Sequence, residues 1–171
     1  KESSAASDVY KRQDKFKYIN INMGCPAPKI VKNFSGSYLL NDTEKCRRLI
    51  YALKSSTDIP ISIKIRRGIN GGNQGLKVAK IAEEEGASMV IVHGRTKEEY
   101  YSGLADWDFI EEVATSLNIP VIGNGDITDY DSFLERTKES KVSGVAIGRG
   151  AIGNPFIFKE IKSKINKEEY T

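Results

Sequence analysis

A cysteine set between glycine and proline, Gly24-Cys25-Pro26, follows the run Asn20-Ile21-Asn22-Met23. A free cysteine more often packs as a small apolar residue than reacts, but a turn just past a strand end leaves a packing residue little to pack on. Lys64 lies in Ile61-Ser62-Ile63-Lys64-Ile65, on the polar side of a strand whose other face is isoleucine. There its ammonium must meet an acceptor or an anion. The only histidine, His93, ends Ser88-Met89-Val90-Ile91-Val92 and precedes Gly94-Arg95-Thr96. Gly123-Asn124-Gly125-Asp126 and Ile147-Gly148-Arg149-Gly150 close two later apolar runs. Turns of that composition can cradle a phosphate on backbone N–H groups, with the arginine adding charge. The bland readings are a lysine on a surface strand, a histidine filling a turn and glycines turning a tight corner. Cys46, beside Arg47 and Arg48 in a helical stretch, reads as structural.

Gly148-Arg149-Gly150-Ala151-Ile152-Gly153 is formally G-x-G-x-x-G. A dinucleotide fingerprint belongs to the first βα turn, with an acidic residue about 20 positions on at the end of a second strand. Here the motif follows the last strand and only one helix remains, so a phosphate site at a helix N-terminus is the better reading.

The elements that must position these groups alternate. Apolar and polar residues alternate over Phe16 to Asn22, as in a strand with one face in a core. Pro28 to Phe34 reads as a short helical turn, and Ser35-Gly36-Ser37 as a loop. Asp42 or Asn41 caps a helix whose stripe of Leu49, Ile50 and Leu53 runs out near Ser56. The second strand is Ile61 to Ile65, and a Gly-rich loop from Gly68 to Gly75 leads to a helix over Leu76 to Glu85 closed by Gly86. Ser88 to His93 is the third strand, followed by a polar, aromatic loop from Gly94 to Gly103 and a helix capped by Asp106 that runs to Leu117. Pro120 to Gly123 is the fourth strand, with a helix from Thr128 or Asp129 to Ser140. Ser143 to Ile147 is the fifth, and an amphipathic helix spans Pro155 to Asn166. Strands alternating with helices imply βαβ units and a parallel sheet. Polar residues and glycines gather at the strands' carboxyl ends, where both (β/α) barrels and open doubly wound sheets bind ligands. The pattern alone does not choose between them.

Bulk composition fits one soluble domain: 171 residues, 39% hydrophobic and 29% charged, net charge +3. That charge neither requires nor excludes nucleic acid. Two cysteines are too few for a disulfide framework and suit a reducing cytoplasm. One histidine argues against a His-rich metal site, and no apolar run has the ~20 residues that span a bilayer. Residues 1–14 are polar and aperiodic and read as a leader, non-native or disordered, outside the fold.

Taken together, Asn22-Met23-Gly24-Cys25-Pro26, Ile63-Lys64-Ile65-Arg66, Val92-His93-Gly94-Arg95-Thr96, Gly123-Asn124-Gly125-Asp126-Ile127 and Ile147-Gly148-Arg149-Gly150-Ala151 resemble, in order and spacing, the tRNA-dihydrouridine synthases of bacterial type. The trailing Gly153-Asn154-Pro155-Phe156-Ile157-Phe158 agrees, and the similarity runs from about Tyr18 to Ile161. The resemblance implies an α/β fold, a partial (β/α)8 TIM barrel holding strands four to eight with their helices, the first three βα units missing. Residues 15–171 would then be the C-terminal part of an FMN-binding TIM-barrel domain, a fragment expected to be inactive alone. The C-terminal helical domain that helps hold tRNA would also be absent.

The implied activity is an oxidoreductase: FMN-dependent, NAD(P)H-driven reduction of uridine in tRNA to 5,6-dihydrouridine. Carried over residue by residue, Cys25 is the acid that protonates carbon 5. Lys64 meets the flavin ring, and His93 lies beside it. Asn124, Gly125, Asp126, Gly148 and Arg149 take the ribityl phosphate end. Asn22, Arg66 and Arg95 are expected on the substrate side, with Lys29, Lys32, Arg67 and Lys97 as further basic residues for tRNA phosphates. The target base must leave its stack to reach such a site. No metal is implied, and the whole protein is expected to be a cytoplasmic monomer. One departure is Asn20, where the family pattern leads us to expect aspartate. Two other readings stay open: another flavin barrel of dihydroorotate-dehydrogenase type, which would not need Gly24-Cys25-Pro26, and a non-catalytic RNA- or phosphate-binding fragment, which would retain tRNA without turnover.

Overall fold

Ile61-Ser62-Ile63-Lys64-Ile65-Arg66 is a strand because its β-branched residues recur every second position and so share one face. All three isoleucines are fully buried, each worth about 1.5–3 kcal/mol of apolar burial. The computed structural model describes residues 16–167; the leader expected over residues 1–14 lies outside them. In chain order the elements are β1 (Ile19–Met23), α1 (Pro28–Lys32), a 3-10 helix (Gly36–Asn41), α2 (Thr43–Ser56), β2 (Ile61–Arg66), α3 (Gln74–Glu84), β3 (Met89–His93), α4 (Trp107–Ser116), β4 (Val121–Asn124), α5 (Tyr130–Thr137), β5 (Gly144–Ala146), a 3-10 turn (Arg149–Ala151) and α6 (Ile157–Asn166).

The five strands form one parallel sheet whose spatial order equals their chain order. A doubly wound sheet reverses its strand order at a switch point. This one never does, so it is an arc of a singly wound (β/α) barrel. One face carries Ile21, Met23, Ile63, Ile65, Val90, Val92 and Val121 against Cys46 and Ile50 of α2, Val78, Ala79 and Ala82 of α3, and Phe109, Ile110 and Val113 of α4. Register fixes the other face. Asn20 pairs with Ser62, Asn22 with Lys64, Arg66 with His93, and His93 with Asn124, so every polar residue of the sheet points to the barrel's interior side.

Side-chain caps start three helices. Asp42 accepts from the Lys45 amide at 2.9 Å, Asp106 from Phe109 at 2.8 Å, and Asp129 from Ser132 at 2.8 Å in a reciprocal capping box. Element ends shift where pairing decides them. The first strand starts at Ile19 rather than Phe16 because Ile19 N–H donates to Pro60 O and β2 offers nothing earlier; Phe16 and Tyr18 stay exposed. The expected Ser35–Ser37 loop runs into a 3-10 helix that buries Leu39 and Leu40. The last helix begins at Ile157, and the short 3-10 turn directly follows Gly148.

Truncating Ile63→Ala leaves a cavity beneath the centre of the sheet. It is expected to lower unfolding free energy by about 2–5 kcal/mol, read from urea denaturation midpoints.

Candidate active site

The Cys25 turn is fixed by its backbone. The Asn22 carboxamide oxygen accepts from the N–H groups of both Gly24 and Cys25 at 3.1 Å, an arrangement typical of asparagine at a turn. Each of the next three carbonyls then has its own donor. Gly24 O accepts from Arg66 Nε at 3.0 Å, Cys25 O from the Ser37 amide at 3.0 Å, and Pro26 O from the Tyr100 hydroxyl at 3.0 Å. Gly24 crosses the β2 backbone so closely that a Cβ would lie 3.2 Å from the Ile65 carbonyl carbon. Cys25 is a free, half-buried thiol at the apex.

On the neighbouring strand, at the interior side of the sheet, Lys64 Nζ donates to Asn124 Oδ1 at 3.0 Å, while Asn124 Nδ2 donates to Ala146 O at 2.7 Å. One asparagine thus links β2, β4 and β5. Burial, then the nearby Arg66 charge, push the Lys64 ammonium down to about 8. That ammonium has three N–H groups and, among the described residues, one hydrogen-bond acceptor, so the site favours an added acceptor or anion. His93 is buried, and burial followed by Arg66, Lys64 and Arg95 pushes it down to about 3, against a smaller opposite pull from Asp126. Its Nε2 lies 3.4 Å from Arg95 Nη1. Arginine can only donate, so Nε2 accepts and the neutral ring carries its proton on Nδ1.

Arg95 is the most enclosed cation. Its Nε donates to Ser102 O at 3.0 Å, and its Nη2 to Gly103 O at 2.6 Å and to both Asp126 carboxylate oxygens at 2.6 and 2.8 Å. Asp126 also accepts from the Ala105 amide at 2.6 Å and from Arg149 Nη2 at 3.3 Å. Burial alone would raise the Asp126 pKa; the Ala105 amide, Arg95 and Arg149 together hold it below the usual carboxylate range. The two glycine loops meet. A Cβ on Gly150 would lie against the Ile127 carbonyl, and Trp107 Nε1 donates to Gly125 O at 3.1 Å. Outside the strand ladders, no backbone acceptor is seen among the described residues for the N–H groups of Asp126, Gly148 or Arg149. These amides and the Arg149 guanidinium form a donor set that fits a phosphate-bearing anion.

The expected residues therefore gather at one end of the sheet, but several in different roles. Arg66 and Arg95 were expected to face the substrate. Both are buried, 3% and 1% exposed, because their guanidinium groups are consumed by carbonyls: Arg66 also donates to Thr96 O at 2.9 Å and Tyr100 O at 3.0 Å. They brace loops rather than present a basic rim. The Asp126 carboxylate, expected among the phosphate contacts, instead binds Arg95 and Arg149. Arg67 pairs with Asp106 and Glu99, and Lys97 with Glu98, leaving Lys29 and Lys32 as the exposed cations of that group. The helix N-terminus expected after Gly148 is a 3-10 turn. Sequence reading missed Tyr100 and Tyr101; two adjacent tyrosines in a polar loop were the available signal. Tyr101 is exposed, its ring 4.7 Å from the Arg149 guanidinium and 5.9 Å from that of Arg66.

His93 folds neutral and unfolds to an imidazole of ordinary pKa ~6.5. Its contribution is present above that value and lost as pH falls toward about 3. His93→Gln is expected to flatten the stability profile between about pH 6.5 and pH 5, above the range where carboxylates titrate. Asp126→Asn leaves Arg95 buried without its counter-charge. We expect a loss of about 3 kcal/mol and a weaker decline below about pH 4, since a depressed carboxylate stabilises above its unfolded pKa and fails as it protonates. Denaturant midpoints measured across pH check both.

The sequence profile of the Dihydrouridine synthase (Dus) family matches residues 3–171. A probable tRNA-dihydrouridine synthase of Rickettsia conorii is 42% identical over 146 residues, 85% of this chain and 44% of that protein. The tRNA-dihydrouridine synthase B of Pseudomonas putida is 41% identical over 153 residues, 89% of this chain and 45% of its own. The chain thus spans less than half the length of these curated relatives. Among solved structures, Eimeria tenella DHODH in complex with ferulenol superposes with a TM-score of 0.67 at 16% identity, covering 95% of this chain and 53% of that one. N-acetylneuraminate lyase from Mycoplasma synoviae gives 0.63 at 16% identity, over 95% of this chain and 52% of its own. At such identities the likeness is one of fold, and the two enzymes' differing names underline it. The family match across nearly the whole chain goes further: this chain belongs to the dihydrouridine synthase family.

Proposed function

We propose that the protein containing this chain is a tRNA-dihydrouridine synthase of bacterial type, an FMN-dependent, NAD(P)H-driven oxidoreductase of the cytoplasm. The observation that carries the reading is that a braced thiol turn and a polar group of Lys64, Asn124 and His93 share the carboxyl end of the sheet. Lys64, His93 and Asn124 would hold the flavin ring. The backbone amides of Gly125, Asp126, Gly148 and Arg149, with the Arg149 guanidinium, would hold its phosphate. Bound there, the flavin supplies a hydride to carbon 6 of uracil.

The chain's own residues supply the rest. Hydride addition at carbon 6 pushes an electron pair toward carbon 5 and the carbonyl. Cys25 Sγ–H gives its proton to carbon 5, and the thiolate regains one from water. Atoms and charge balance: one hydride and one proton saturate the double bond. Asn22 contributes by shaping the turn that carries the thiol, and its carboxamide N–H groups are left to meet the base. Lys64 would place positive charge beside the flavin ring, and the neutral His93 would add no second cation there. The dihydroorotate-dehydrogenase alternative shares the fold alone, and Gly24-Cys25-Pro26 favours the RNA reading.

In the complete natural protein, Cys25→Ala is expected to keep the yellow colour while cutting dihydrouridine formation at least about 100-fold, measured by nucleoside analysis of tRNA. A variant that still reduces tRNA at the parent rate sinks the reading. Lys64 must be charged to hold an anion, so FMN affinity is expected to fall as pH rises past about 8. Binding itself shifts that midpoint upward. Lys64→Met should weaken FMN binding about 10- to 100-fold and abolish this pH dependence in a flavin-fluorescence titration.

A further inference from the structure

The tyrosine of the β3–α4 loop that touches the thiol turn has no role in what has been described. Tyr100 sits at φ +48°, in the left-handed region that side chains other than Gly, Asn and Asp seldom adopt. That backbone aims its hydroxyl across 74 residues of sequence onto Pro26 O. The same loop supplies Thr96 O and Tyr100 O to Arg66 Nη1, while Arg66 Nε reaches Gly24 O. The carbonyls on either side of Cys25 are therefore both tied to this one loop, one through Arg66 and one through Tyr100.

We propose that Tyr100 is a positioning residue for Cys25: its hydroxyl latches Pro26 so that the thiol faces the base when carbon 5 takes its proton. This rests on the uridine reduction proposed above. Proton donation needs Sγ within hydrogen-bond reach of the accepting carbon's face, and errors of about 1 Å in such geometry can cost on the order of 100-fold in rate. In the proposed reaction Cys25 acts only at carbon 5 of the base, so loss of the latch is expected to slow the step with tRNA and not the reduction of flavin by NAD(P)H.

The test uses the complete natural protein with bound flavin. Tyr100→Phe removes one oxygen and keeps the ring. It is expected to leave anaerobic flavin reduction by NADPH unchanged and to slow re-oxidation by tRNA about 10- to 100-fold. Alkylation of Cys25 by iodoacetamide should rise about 2- to 10-fold, the range that one net hydrogen bond spans. Cys46, buried and pushed up to about 11, is the unreactive internal standard. Tyr100→Asn separates positioning from stability: asparagine suits the left-handed backbone but is too short to reach Pro26. It should match or exceed the parent's melting temperature and still show both defects. Re-oxidation and alkylation at parent rates in Tyr100→Phe overturn the latch, and they leave the family reading intact, since that stands or falls on Cys25→Ala.

Discussion

A guanidinium removed from water needs its N–H groups answered, and Arg95 organises this end of the molecule by that demand. It is 1% exposed. Its partners are a carboxylate on β4's loop, two carbonyls of its own loop and the imidazole of His93. A buried ion pair is weak evidence of net stability, but removing one partner is costly, so the loop cannot leave without exposing an unpaired charge. Folded around Arg95, the loop presents Thr96 O and Tyr100 O to Arg66 and the Tyr100 hydroxyl to Pro26. The position of Cys25 is thus set three links away, by electrostatics inside the sheet's carboxyl end.

The same pair sorts charge within the site. Asp126 takes up Arg95 and reaches Arg149, while Lys64 is left with a neutral asparagine. Lys64, with no carboxylate partner among the described residues, therefore lies on the interior side of the sheet, and the ionised carboxylate is kept among arginines. Burial lowers Lys64 and His93 alike, with opposite results at neutral pH: the lysine stays mostly charged and the histidine is neutral. A charged lysine beside a neutral imidazole differs from a plain cluster of positive charge.

Much of the fold was legible because period and punctuation agreed. The Ile61-Ile63-Ile65 alternation, the Asp42, Asp106 and Asp129 caps and the Gly86 stop each act within a few residues. Boundaries moved where a distant partner decided them, as when Pro60 O fixed the start of β1. The Gly36–Asn41 helix was hidden for the same reason. It exists because Leu39 and Leu40 find a place under the sheet, and Gly36, at φ +60°, passes within 2.6 Å (from a Cβ built there) of Cys25 O.

By itself the sequence determined an alternating α/β chain, the isoleucine face of β2, and the five motifs that gather chemistry at the strands' carboxyl ends. These are local matters of side-chain period, turn chemistry and residue type. Its side-chain pattern could not choose between a barrel and a doubly wound sheet, because strand order is a property of pairing between segments far apart in the chain; the family resemblance implied the barrel, and the β1-β2-β3-β4-β5 order bears it out. Nor could it separate a basic residue that faces solvent from one that is consumed inside. Arg66 and Arg95 read as exposed cations in motif and loop, and tertiary structure buried them because carbonyls from residues 24, 96, 100, 102 and 103 converge on their guanidinium groups.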